Sequence, residues 1–76
     1  MMIKRSLTLS GHRTSVALET EFWSALELLA TQRGISLPSL LTDIDAVREG
    51  KSLASAARVT ALKSAQAGLI GKSREP

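Results

Sequence analysis

Between Arg13 and Glu19 the chain alternates polar or small residues with apolar ones, and this period of two predicts a half-buried strand ending at Leu18. From Thr20 the period changes. Phe22, Leu26, Leu29 and Arg33 fall on one helical stripe, with Trp23 and Ala30 beside it. Thr20 is placed to cap this helix, and the flanking Glu19 and Glu21 suit the positive end of its dipole. Gly34 should stop it, because glycine takes the left-handed C-terminal conformation without steric cost. Ser36 then caps a second helix, and Ile35 before it can staple onto Leu40. Leu37, Leu40, Leu41, Ile44 and Val47 mark the apolar face of that helix, while Asp43, Asp45 and Arg48 lie away from it. Glu49-Gly50-Lys51 breaks the pattern, Ser52 is a further cap, and the alanine-rich run from Leu53 to Ala67 predicts a third helix. Its apolar side (Leu53, Ala56, Val59, Ala61, Leu62) is small, so it should pack closely on a partner element rather than form a core alone.

Upstream, Arg5-Ser6-Leu7-Thr8-Leu9 also alternates, and Ser10-Gly11-His12 can turn the chain. Two topologies follow. Leu7 to Leu9 and Thr14 to Leu18 can form a hairpin within one chain, or the first segment is an arm and the second strand pairs with its counterpart in another copy. The turn lacks the Asn-Gly or Asp-Gly pair of a tight hairpin, which favours the intersubunit ribbon and leaves open an outer strand from residues 5 to 9. A two-stranded ribbon is marginally stable alone, so the helices must cover its apolar face.

Size and composition narrow the class. With 76 residues, 43% of them hydrophobic and only Phe22 and Trp23 aromatic, the chain supports one small domain with an aliphatic core. We expect that domain to span residues 1–67, with a flexible tail from 68 to 76. So small a core leaves modest stability, for which association is a natural remedy. There is no cysteine, hence no disulfide and no thiolate metal site. Met1 to Ser10 holds no apolar run of signal-peptide length and no stretch is long enough to span a bilayer, so the expected location is the cytoplasm.

The net charge of +3 is unevenly spread. Residues 1–18 carry Lys4, Arg5 and Arg13 and no acid, whereas residues 19–50 carry six acids against Arg33 and Arg48. Residues 51–76 are basic again. The strand region is therefore cationic and the two helices behind it acidic. In a dimer, two N-terminal segments would gather six positive side chains, a footprint suited to a phosphate backbone. A mildly basic surface kept for solubility is the plain alternative.

The run Arg13-Thr14-Ser15-Val16-Ala17-Leu18-Glu19, then Glu21-Phe22-Trp23, and an added helix containing Ser55-Ala56-Ala57-Arg58 resemble the ribbon-helix-helix DNA-binding domains. The strand and two helices, roughly Arg13 to Arg48, carry the match. The resemblance implies a mostly α fold with a short N-terminal strand, an intertwined homodimer with an antiparallel intersubunit ribbon, and here a third C-terminal helix. It further implies that the ribbon enters the major groove of double-stranded DNA, that alternate strand side chains touch base edges, and that the start of the second helix anchors a phosphate.

Carried onto this chain, Val16 and Leu18 face the core and Arg13, Ser15 and Ala17 face outward as base readers, with Lys4, Arg5 and His12 as further DNA contacts. Arg13 is the strongest, since a guanidinium can bond guanine O6 and N7 together. Ala17 offers only a methyl group, and Glu19 would repel phosphate. Ser36, Leu37 and Ser39 form the phosphate anchor, with Pro38 removing one N–H from the turn. Val16, Leu18, Phe22, Trp23, Leu26, Leu40, Leu41 and Ile44 make the expected dimer core.

Nothing in the sequence points to catalysis, a metal or a cofactor. His12, the single histidine, has no cysteine near it and no carboxylate before Glu19, and Asp43 and Asp45 point in different directions on one helix. No phosphate-binding glycine loop or zinc spacing occurs. The competing reading is a homodimeric protein-interaction module, in which the acidic helices or the third helix hold a protein partner. Ala17 and Glu19 favour that reading; the acid-free first 18 residues favour a DNA-binding transcriptional regulator.

Overall fold

The computed structural model describes residues 1–68. Strands β1 (Met2–Leu9) and β2 (His12–Glu19) are followed by helices α1 (Thr20–Arg33), α2 (Leu37–Ala46) and α3 (Leu53–Gln66). The expected tail from 68 to 76 lies, Gly68 apart, outside the described residues.

The two strands pair antiparallel within the chain, from Met2 opposite Glu19 to Leu9 opposite His12. The intrachain hairpin disfavoured on turn chemistry is thus formed. Its two-residue loop works because Ser10 and Gly11 both take positive φ, 52° and 81°, the condition for a turn whose twist matches the flanking strands. Serine bears the left-handed conformation that asparagine would bear more readily. Both strands also run longer than their central alternation suggests.

Helix α1 begins one residue earlier than expected. Glu19, in extended conformation, is its N-cap and makes no side-chain capping bond, while Thr20 is the first helical residue and its hydroxyl donates to the Met1 carbonyl at 3.4 Å. Gly34 ends the helix at φ 70°. Ser36 caps α2 by accepting the Ser39 N–H at 3.1 Å, and Ser52 caps α3 by accepting the Ser55 N–H at 3.0 Å.

The helices cover one face of the hairpin. Leu9, Val16 and Leu18 from the strands meet Trp23, Leu26 and Leu29 from α1, Leu40, Leu41 and Ile44 from α2, and Ala56, Ala57 and Ala61 from α3. Burying a leucine such as Leu18 or Leu26 fully is worth about 1.5–3 kcal/mol relative to exposure. Three positions expected on apolar helix faces fail. Val47 is 72% exposed because α2 ends at Ala46 and the chain turns outward, and the buried stripe of α3 runs through Ala57, Ala61 and Ser64, leaving Val59 and Leu62 39% and 54% exposed. Small side chains there let α3 approach α1, α2 and β2 of its own chain.

Candidate nucleic-acid interface

The period of two divides the hairpin into faces. Ile3, Arg5, Leu7 and Leu9 with Thr14, Val16 and Leu18 turn toward the helices; Lys4, Ser6 and Thr8 with Arg13, Ser15 and Ala17 turn away. On the outward face the register sets Lys4 beside Ala17, Ser6 beside Ser15 and Thr8 beside Arg13. The Ser6 and Ser15 hydroxyl oxygens are 3.4 Å apart. The face is polar and cationic, and every residue on it except the half-buried Ala17 is exposed.

The same alternation governs the backbone. The Thr20 N–H donates to the Met1 carbonyl at 3.1 Å, which places the hydrogen-bonded pairs of the ladder at Ile3–Leu18, Arg5–Val16, Leu7–Thr14 and Leu9–His12. The N–H and C=O groups of Arg13, Ser15 and Ala17 therefore point to the other edge of β2. Among the described residues the sheet has two strands, so that edge carries no strand. It borders a groove of about 590 Å³ between β2 and the α2–α3 junction, with Arg13, Ser15 and Val16 on one wall and Asp45, Arg48 and Leu53 on the other.

Arg5 departs from the other cations. It occupies an inward position, its Nη1 lies 3.0 Å from Glu27 Oε2, and its guanidinium stacks 4.6 Å from the centre of the Trp23 ring. The Trp23 indole N–H donates to the Ile3 carbonyl at 2.8 Å. These contacts pin β1 to α1. The alternation Ile3, Arg5, Leu7, Leu9 is the available signal that Arg5 sits with the helices and that Lys4, Ser6 and Thr8 share the outer face with Arg13.

Glu19, expected to repel phosphate, is neutralised. Arg58 of α3 donates to its two carboxylate oxygens at 2.9 and 3.4 Å, and this hydrogen bonding holds the Glu19 carboxyl below the usual range. Arg58 also lies 5.8 Å from the centre of the Phe22 ring. Only the three-dimensional fold brings Arg58 and Glu19 together, since 39 positions separate them.

The remaining predicted residues fall in two places. His12 opens β2 beside the turn and is exposed. Ser36, Leu37 and Ser39 form the first turn of α2, where the Ser39 N–H already donates to Ser36 and the Ser36 hydroxyl donates to Ser39 Oγ at 3.0 Å. Of the expected dimer core, Phe22 alone is half-buried; Val16, Leu18, Trp23, Leu26, Leu40, Leu41 and Ile44 are buried within one chain. Among the described residues no cluster of three or more His, Asp or Glu side chains is placed to hold a metal, and no helix is long and apolar enough to cross a membrane.

The sequence profile of the ribbon-helix-helix domain matches residues 2–65. The chain belongs to the ribbon-helix-helix family. Among solved structures, an uncharacterized protein from Bordetella pertussis Tohama I superimposes with a TM-score of 0.74 at 32% identity, over 87% of this chain. This ribbon-helix-helix chain spans 57% of the length of that protein. No curated protein matches it. The family match takes in β1 and nearly all of α3 as well as the ribbon and two helices that carry the resemblance in the sequence.

Proposed function

We propose that this protein is a homodimeric, cytoplasmic DNA-binding factor, a transcriptional regulator that acts by occupying its site. The observation that carries the proposal is the coincidence on β2 of an open backbone edge and an outward cationic face. A second copy adding its β2 along that edge satisfies the free N–H and C=O groups of Arg13, Ser15 and Ala17, and the groove beside it has room for an extended segment. The union doubles Lys4 and Arg13 on one continuous surface. Arg13 reads a base edge, while Lys4 and the first turn of α2, through the Leu37 N–H and the Ser39 hydroxyl, hold phosphate. Glu19, tied to Arg58, does not oppose the approach.

A pool of random duplexes, incubated with the protein at two salt concentrations and sequenced from the bound fraction, tests this. The expected outcome is steeply salt-dependent binding with an enriched palindrome. Arg13→Ala should weaken the selected site by about 1–3 kcal/mol and relax preference at one position in each half-site.

A second reading rests on a different surface. Ile44, Val47, Ala56 and Val59 line a groove between α2 and α3, rimmed by Arg48, Lys51 and Lys63. In this reading the dimer is a protein-interaction module. Folded protein that binds no duplex at low salt would favour it.

A further inference from the structure

In a DNA-binding dimer of the kind proposed, on which this inference rests, the intrachain strand changes the surface offered to the duplex. Because β1 occupies one edge of β2, joining β2 to the partner's β2 builds a sheet of four strands with the two β1 strands outermost. Neighbouring strands lie about 4.8 Å apart, so the outer strand axes stand about 14 Å apart, whereas the major groove is about 12 Å wide and admits a two-stranded ribbon. Nor is β1 a loose flap. Its whole length pairs with β2, Trp23 holds the Ile3 carbonyl, and Arg5 is clasped by Glu27 and the indole ring.

We infer that the four-stranded face lies astride the major groove instead of entering it, with each β1 over a phosphate ridge and the β2 pair over the groove floor. Lys4 and Ser6 then contact phosphate, and Arg13 is the one outer-face side chain on β2 long enough to reach a base. The register supports this division. Backbone groups on the open edge belong to Arg13, Ser15 and Ala17, and the strand residues of the adjoining groove centre near Ser15. A two-fold axis at Ser15 places Arg13 opposite the partner's Ala17 and avoids setting like charges face to face. Across the sheet the rows then read Lys4, Ala17, the partner's Arg13 and the partner's Thr8, either side of a central row of four serines. Serine and alanine end one or two atoms from the backbone, too short to bridge a sheet resting on the ridges.

The test uses Lys4→Gln, opposite Ala17, and Ser6→Glu, opposite Ser15 with Arg13 as its diagonal neighbour, so that Lys4→Gln is the variant that leaves Arg13 without a new partner. Thr8 is left alone because a carboxylate there would sit beside Arg13. Binding is measured on a pool-selected duplex and on a random one, with fold and dimer content checked by circular dichroism and sedimentation. Both variants should weaken the two duplexes by a similar factor, roughly tenfold for Ser6→Glu, and Lys4→Gln should lower the salt slope by about one unit per protomer. Phosphate ethylation interference with the wild-type protein, which needs no variant to fold, should mark two ridges flanking one groove. Wild-type-like binding by both folded variants, or ethylation marks absent from the ridges while Arg13→Ala loses its selected site, would overturn the role of β1 and leave DNA binding standing. Failure of the wild type to bind either duplex would overturn the underlying function itself.

Discussion

At the scale of single residues, backbone conformation and one ion pair make separate predictions. Gly11 has φ 81° and open space within 4 Å of where a Cβ would stand, so Gly11→Ala meets only the cost of a left-handed alanine, about 1–2 kcal/mol. Ser10→Asn should act oppositely, raising the thermal midpoint, because asparagine tolerates φ 52° better than serine. Thermal unfolding of the two variants checks both signs. For Glu19, a carboxyl pKa lowered in the folded state adds stability at neutral pH that fades as pH falls through that lowered value. An NMR titration should find the Glu19 midpoint below the ordinary glutamate value and raised toward it in Arg58→Met. An unmoved midpoint in that variant would show that Arg58 is not the cause. Neither feature is legible in the sequence. Turn statistics favour Asn-Gly over Ser-Gly, and the partner of Glu19 lies on a helix 39 positions away.

At the scale of elements, the helices are readable because their signals are local. Gly34, Ser36 and Ser52 punctuate the chain within a turn of where each helix starts or stops, and the α2 stripe Leu40, Leu41 and Ile44 is buried as its spacing demands. Strand partnership is not local, and alternation in residues 5–9 and 14–18 is compatible with pairing inside or between chains. α3 misleads for another reason. Propensity marks an alanine-rich helix but not which of its faces is buried, and here close approach selects Ala57, Ala61 and Ser64 over the larger Val59 and Leu62. The joint between β1 and α1 is the element contact most open to test. Trp23→Phe keeps most of the ring and loses the bond to the Ile3 carbonyl, and should cost roughly 1 kcal/mol or more. Trp23→Ala also empties a buried site and should cost roughly 3–5 kcal/mol. Urea unfolding followed by circular dichroism would rank the two; equal stability for Trp23→Ala and wild type would contradict its anchoring role.

At the scale of the whole molecule, one chain already buries the residues expected to form a dimer core, from Val16 to Ile44, with Phe22 half-buried among them. What remains for a second copy is the open edge of β2 and the groove beside it, so association in our account completes a sheet around a core that one chain already closes. The outward face of that sheet gathers Lys4, Ser6, Arg13 and Ser15, all clear of the helices, while Glu19 and Glu27 are paired with Arg58 and Arg5. The period of two alone reaches Arg13, Ser15 and Ala17 but cannot place Lys4 beside Ala17, because that neighbourhood exists only once β1 folds back. The most direct test of the account is an NMR titration of labelled protein with a short duplex. It predicts amide shifts concentrated at Lys4, Ser6, Thr8, Arg13, Ser15 and Ala17 and at Leu37 in the first turn of α2, with Val47, Val59 and Leu62 unmoved; shifts confined to the α2–α3 groove, or none at all, would contradict it.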